Sequence, residues 1–204
     1  MLTVRILDSL AEVPPAAWDG LHDGSNPFVA HAFLEGLERH GCLRPQWGWT
    51  PHHLTLWEGD ALVAAAPGYL KTNSHGEFVF DHAWAHAYAQ YGQEYFPKLL
   101  AAVPYSPVTG PRLLGADEHR PALLEAMVDA ARRRDLSSAH VNFHTAAEDE
   151  AFGPDWMQRE GPSLALNLPD TQLPLLRDGL AEIAELKPKF RALPRANLHA
   201  DLFR

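Results

Sequence analysis

Two carboxylates four residues apart, Glu77 and Asp81, flank the β-prone run Glu77-Phe-Val-Phe80. On a strand that spacing puts both side chains on one face, where paired carboxylates can accept and release a proton. Lys71, Lys98 and Arg112 bracket them. The two lysines are half of the chain's four, and cations this scarce suit a phosphate or carboxylate on a substrate. Thr109 and Gly110, between prolines, can offer backbone N–H groups to a developing oxyanion. His144, ending a strand beside Asn142, is the best single candidate for an acid–base histidine.

Each of these residues also has a plainer role. Asp81 can cap the helix after it, the cations can form surface salt bridges, and Gly110 can be a bulge. Phe78, Phe80, Trp84, Tyr88, Tyr91, Tyr95 and Phe96 can wall a sugar or peptide, or pack a strand on the next helix. The phenylalanines read as core; Trp84 and Tyr95 stand between the two. Among 12 histidines, His82/His86 and His140/His144 are pairs that share a face, but zinc needs a third ligand and an oriented second shell. With no H-E-x-x-H motif and no cysteine pair, no metal is expected.

The elements that must position these groups alternate in type. Leu2–Leu7 reads as a strand and Pro14–Trp18 as a short helix. Ser25-Asn-Pro27 caps and starts a helix that Gly41 stops. His53–Trp57 and Ala61–Leu70 form a hairpin about Glu58-Gly-Asp60. Glu77–Phe80 is a strand, Asp81–Tyr91 a helix, and Leu99–Val103 and Val108–Leu114 an irregular pair of strands. Pro121–Arg134 has a continuous apolar face. Ser138–Phe143, a short helix Glu148–Gly153, the strand Ser163–Leu168 and an interrupted helix Leu173–Ala192 complete the order. Hairpins followed by crossovers predict an α/β (α+β) fold, a mixed, mostly antiparallel sheet flanked by helices on both faces. No glycine-rich turn follows the first strand, which disfavours a doubly wound parallel sheet.

Composition narrows the class. The chain has 204 residues, 46% hydrophobic, with a net charge of −9 and one cysteine. One cysteine excludes a disulfide framework, no apolar run approaches a membrane span, and no signal peptide opens the chain, so a cytoplasmic protein is expected. The acidic body has no overall attraction for DNA. Arg132-Arg-Arg134 suits the negative end of a helix.

The runs Asn26-Pro-Phe-Val-Ala-His-Ala-Phe-Leu34, Tyr69-Leu-Lys71, Ser74-His-Gly-Glu-Phe-Val-Phe-Asp81, Ala83-Trp-Ala85, Tyr95-Phe-Pro-Lys98 and Val103-Pro-Tyr-Ser-Pro-Val-Thr-Gly-Pro-Arg112 resemble the FemAB-like N-acyltransferases. Those proteins have GNAT-like folds and are described as peptidoglycan biosynthesis or recognition proteins. The resemblance runs from about residue 20 to Gly161 and implies that residues 1–161 are a GNAT-like N-terminal domain. Residues 162–204 read as a divergent last strand and helical tail, the remnant of a link to a second domain in a truncated or frame-shifted product. An exposed sheet edge after Leu168 makes a homodimer an expectation.

Acyl transfer to an amine requires a donor cradle, a base and oxyanion donors. The resemblance implies an acyl-coenzyme A or aminoacyl-tRNA donor and a cell-wall precursor or other amine acceptor, bound among Lys71, Ser74, Trp84, Tyr95, Lys98, Thr109, Gly110 and Arg112. Gly115-Ala-Asp-Glu-His-Arg120, where GNAT enzymes cradle pyrophosphate, has one glycine and two carboxylates, which disfavours coenzyme A there. Two other functions compete: a non-catalytic module recognising a precursor or partner, and a coenzyme A-dependent small-molecule N-acetyltransferase.

Overall fold

Proline and glycine decide where this chain turns. The computed structural model describes residues 1–79, 81–159 and 164–167; the predicted helix Leu173–Ala192 lies outside them. β1 (Leu2–Leu7) is followed by a short helix α1 (Pro15–Asp19) with proline in its first turn, where no amide hydrogen is needed. Asn26 accepts from the Phe28 amide to cap a single 3₁₀ turn at Pro27–Val29, and α2 (His31–Arg39) begins just beyond it. β2 (Trp49–Pro51) leads into β3 (His53–Glu58), which turns at Gly59, φ 59°, into β4 (Ala61–Ala66).

The predicted strand Ala61–Leu70 is two strands. Pro67 has no amide to continue a ladder, and β5 (Gly68–Lys71) starts on its far side in a different sheet. α3 (His82–Gln90), β6 (Lys98–Ala101), β7 (Leu114–Gly115), α4 (Arg120–Arg133), β8 (Ala139–Asn142), β9 (Trp156–Arg159) and β10 (Leu164–Asn167) follow. The strand expected over Val108–Leu114 shrinks to β7, because Pro111 has no ladder donor and the Arg112 and Leu113 amides donate to the Glu148 side chain. Glu77–Val79 is not a strand either, since Phe78 is left-handed at φ 57°; Phe80 is outside the described residues.

Strand order is β1-β3-β4-β7 in one sheet and β2-β5-β6-β8-β10-β9 in the other. All pairs are antiparallel except β6 with β8, whose parallel crossover contains α4. The protein is thus a mixed, mostly antiparallel α/β fold. β10 lies between β8 and β9, so the edge beside it belongs to β9.

Side chains alternate across these strands. Leu54, Leu56, Ala64, Ala66, Leu99, Ala101 and Val141 pack with Leu123, Leu124, Met127, Ala130 and Ala131 of α4. Trp57, Ala65 and Leu114 face the other way, onto Leu10, Trp18, Val29 and Leu34. Helices therefore cover opposite faces. Met1–Leu168 form one compact unit, and among the described residues no helix is long and apolar enough to cross a membrane.

Candidate functional site

The face of the six-stranded sheet away from α4 is polar and buried. β5 and β6 pair in register, Lys71 directly opposite Lys98. Two ammonium groups side by side would repel, and both are fully buried. The compensating charge comes from the segment after β5. Gly76, at φ 77°, and left-handed Phe78 turn that segment back over the sheet, and the Tyr105 amide holds it by donating to the Gly76 carbonyl at 3.1 Å.

Glu77 and Asp81 consequently converge on one cation. Lys98 Nζ donates to Glu77 Oε2 at 2.8 Å and to Asp81 Oδ2. Lys71 Nζ stands 4.0 Å from Glu77 Oε1, donates to the His75 carbonyl at 3.0 Å, and lies 3.7 Å from the centre of the Trp49 ring. Trp49 Nε1 donates to the same carbonyl at 3.0 Å. None of the four charged side chains is more than 1% exposed. Two cations and two anions form a closed, charge-balanced cluster.

Burial dominates the titration of Lys71 and of Glu77. It drives Lys71 down to about 8, against the opposing pull of Glu77, and it raises Glu77 against the attraction of both lysines. Glu77 Oε1 accepts no hydrogen bond, and Asp81 sits at the N-cap of α3 but its carboxylate does not cap that helix. Tyr95 closes the cluster, its ring centroid 5.4 Å from Lys98 Nζ and 4.9 Å from Phe96. Burial, then the charge of Asp81, pushes its hydroxyl far up.

The other predicted site residues divide. Ser74 contributes its carbonyl to the turn, accepting from the Glu77 amide at 3.4 Å. Trp84 is half-buried on α3 and Thr109 is exposed. Gly110 is not an oxyanion donor: its amide donates to the Phe143 carbonyl at 3.0 Å, and a Cβ there would strike the Asn26 amide. Arg112 is not a substrate clamp. It is fully buried, donating from Nε to the Asn142 carbonyl and from its terminal nitrogens to the Pro111 and Val108 carbonyls. Burial lowers it to about 10, although Glu148 counteracts. Glu148 Oε1 in turn accepts the Arg112 and Leu113 amides at 2.7 and 2.6 Å, so the two residues fix the loop ahead of β7.

His144 is drawn to Asp149, Nε2 at 2.8 Å, and packs against Phe152 with the rings tilted and centroids 4.7 Å apart. It is 1% exposed, and among the described residues its hydrogen bond goes to Asp149 rather than to the lysine–carboxylate cluster. His140 Nε2 meets Ser138 Oγ at 2.7 Å. Among the described residues no group of three or more His, Cys, Asp or Glu side chains is placed to hold a metal. The acidic segment ahead of α4 offers phosphate little. Gly115 belongs to β7 and gives its amide to the Leu21 carbonyl, while Asp117 pairs with Arg120 at 2.9 Å. Trp49 belongs to the cluster through its ring and Nε1, and no local pattern in the sequence points to it.

A mixed α/β fold with an acid–base cluster buried under a folded-back loop defines the class. The chain belongs to the FemAB-like family, whose model is described as peptidoglycan biosynthesis/recognition and matches residues 9–171. Homoserine kinases of Pseudomonas aeruginosa, strains LESB58 and PAO1 among them, are 38% identical over 101 residues, which is 43% of this chain and 32% of theirs. The chain thus spans about a third of the length of the curated relatives it matches. Two solved structures are similar to it. The polyamine N-acetyltransferase of Drosophila melanogaster has 11% identity and a TM-score of 0.41, over 83% of this chain and all of that one. The PaiA N-acetyltransferase of Thermoplasma acidophilum, in complex with coenzyme A, has 10% identity and a TM-score of 0.40, over 82% and 99%.

Proposed function

We propose that the protein is an N-acyltransferase that passes an acyl or aminoacyl group to an amine of a peptidoglycan-precursor-like acceptor. The observation that carries this reading is Glu77 Oε1, a buried carboxylate oxygen with no hydrogen bond inside a cluster that otherwise balances its charges. A carboxylate raised by burial is a stronger base than an exposed one and works nearer neutral pH. In the transfer, the acceptor amine attacks the acyl carbonyl, the N–C bond forms, the bond from carbonyl to donor breaks, and Glu77 takes the amine proton. Asp81 holds Lys98, and Lys98 orients Glu77. Because the cluster is sealed, the turn from Thr72 to Val79 must lift for substrate to enter. Family membership supports the cell-wall acceptor.

Turnover with acetyl-coenzyme A and with aminoacyl-tRNA, each offered a muramyl peptide and a set of simple amines, tests this reading. Glu77→Gln keeps the shape and is expected to lose on the order of 10²-fold or more in rate. The wild-type rate should rise with pH as Glu77 ionises, and that rise should vanish in the variant. Full activity of Glu77→Gln removes the assignment.

A second reading has its own observation. The homoserine kinases overlap part of this chain, and His199-Ala-Asp-Leu202 keeps the His, Asp and Leu of the H-R-D-L kinase loop, whose Asp accepts the hydroxyl proton. Incubating the full chain with ATP, magnesium and homoserine tests it. Phosphohomoserine that disappears in Asp201→Asn and persists in Glu77→Gln would support the kinase reading.

A further inference from the structure

The polar face of the six-stranded sheet carries side chains that the proposed transfer does not use. Tyr69 on β5 and His140 on β8 stand on either side of Leu100 of β6, the register partner of both. Asn142 follows His140 by two residues and so projects from the same face. Tyr69, His140 and Asn142 are all buried, at 0%, 1% and 0% exposure. Yet the Tyr69 hydroxyl, His140 Nδ1 and both Oδ1 and Nδ2 of Asn142 have no hydrogen-bond partner among the described residues. Arg112 is near two of them: its Nε donates to the backbone carbonyl of Asn142 at 2.9 Å, and its charge partly offsets the burial of the Tyr69 hydroxyl.

Folded proteins leave few buried donors or acceptors unpaired, because each forfeits its hydration for nothing. An apolar side chain of similar size would fill the position of Asn142 without that penalty. Asparagine there is a choice that stability disfavours, as is common for residues kept for binding. A primary amide open at both ends matches one other group best: a second amide, donor to acceptor and acceptor to donor.

We propose that Asn142 and Tyr69 form a binding subsite for an amide. A peptide or carboxamide N–H of the ligand donates to Asn142 Oδ1, its carbonyl accepts from Nδ2, and the Tyr69 hydroxyl bonds a neighbouring polar atom. The ligand class is a peptide-like molecule. This goes beyond the acyl-transfer reading and does not need it, since the subsite binds whether or not chemistry follows.

The test is a titration of the ¹⁵N-labelled protein with N-acetyl-alaninamide, followed through the side-chain amide signal of Asn142 and, so that the variants can be compared, through the backbone amide signals of β8. Saturable shifts are expected, weakened at least tenfold in Asn142→Leu and in Tyr69→Phe. N-acetylalanine methyl ester, which lacks the terminal N–H groups, should bind more weakly. Without probe, Asn142→Leu should melt at a higher temperature than wild type. An absence of saturable shifts overturns the proposal, and so does undiminished binding in both variants. A lower melting temperature in Asn142→Leu also overturns it, because it marks an asparagine bonded within the fold. Should that variant not fold, Tyr69→Phe and the wild-type titration still decide. Binding of this amide, together with no turnover of any amine in the acetyl-coenzyme A and aminoacyl-tRNA assays, would defeat the acyltransferase reading and leave the subsite standing.

Discussion

Lys98 is the cation on which both buried carboxylates depend. Removing one partner of a buried ion pair strands the other, at about 3–5 kcal/mol; here two anions are stranded together. Lys98→Met is therefore expected to destabilise the fold by at least that much in urea unfolding. The triple variant Lys98→Met, Glu77→Gln, Asp81→Asn should recover most of the loss, because no carboxylate is then stranded and Lys71 keeps the His75 carbonyl and the Trp49 ring. A triple variant as unstable as the single one would mean that Lys98 contributes by packing. Lys71 has the opposite character. Its folded-state value of about 8 lies below the usual 10.5 of a lysine, so the folded protein favours the neutral amine. The stability this group contributes is complete above about 10.5 and is lost as pH falls toward 8. Unfolding free energy should rise across that window by at most about 1.4 kcal/mol per pH unit. In Lys71→Met this part of the slope should disappear, with the rest of the pH profile retained.

Between β4 and β5 the chain changes sheets in two residues, and that junction sets where Lys71 emerges. Pro67 ends one ladder, yet its carbonyl accepts the Ala102 amide at 3.1 Å, while the Gly68 carbonyl accepts the His52 amide at 2.8 Å. A Cβ on Gly68 would strike the His52 carbonyl oxygen, and Leu54 crowds the same place. Backbone cannot rotate away as a side chain can, so Gly68→Ala should cost about 1–3 kcal/mol, measured by thermal or urea unfolding. A neutral Gly68→Ala would mean that the junction is loose. This junction also marks how far the sequence could be read. The hairpin before it, α2, α4 and β8 follow from periodicity and turn residues that act locally. The split at Pro67 has a local signal, the Pro67-Gly68 pair that interrupts a ladder, but nothing local shows that β5 then joins a different sheet. The site shows the same division. Lys71, Glu77, Asp81 and Lys98 stood out as sparse charges in an apolar stretch, and they do meet. Their meeting depends on a left-handed Phe78 rather than on strand spacing. Gly110 and Arg112 are committed to Phe143 and Asn142, which lie about 30 residues away in sequence, beyond the reach of local spacing.

Net charge acts on the molecule as a whole and bears on the donor. At −9 over 204 residues, the long-range field repels a polyanion, and affinity for nucleic acid comes chiefly from phosphates neutralised by Lys and Arg. The basic run Arg132-Arg-Arg134 is exposed at the end of α4, three charges against an acidic surround. Lys71, Lys98 and Arg112 add nothing to the surface field, since each is buried and committed to an anion or to carbonyl groups. Uncharged tRNA is therefore expected to show no saturable binding to the full chain at micromolar concentration and about 0.15 M salt, in a filter or mobility assay. Lowering the salt should bring out at most weak binding with a shallow salt slope, and Arg132→Ala, Arg133→Ala and Arg134→Ala together should flatten it further. Tight binding with a slope of several phosphates would reverse this. It would place a basic surface outside the described residues, where six of the chain's 17 basic side chains fall beyond Gly161, and it would favour a tRNA-borne aminoacyl group over a thioester as the donor.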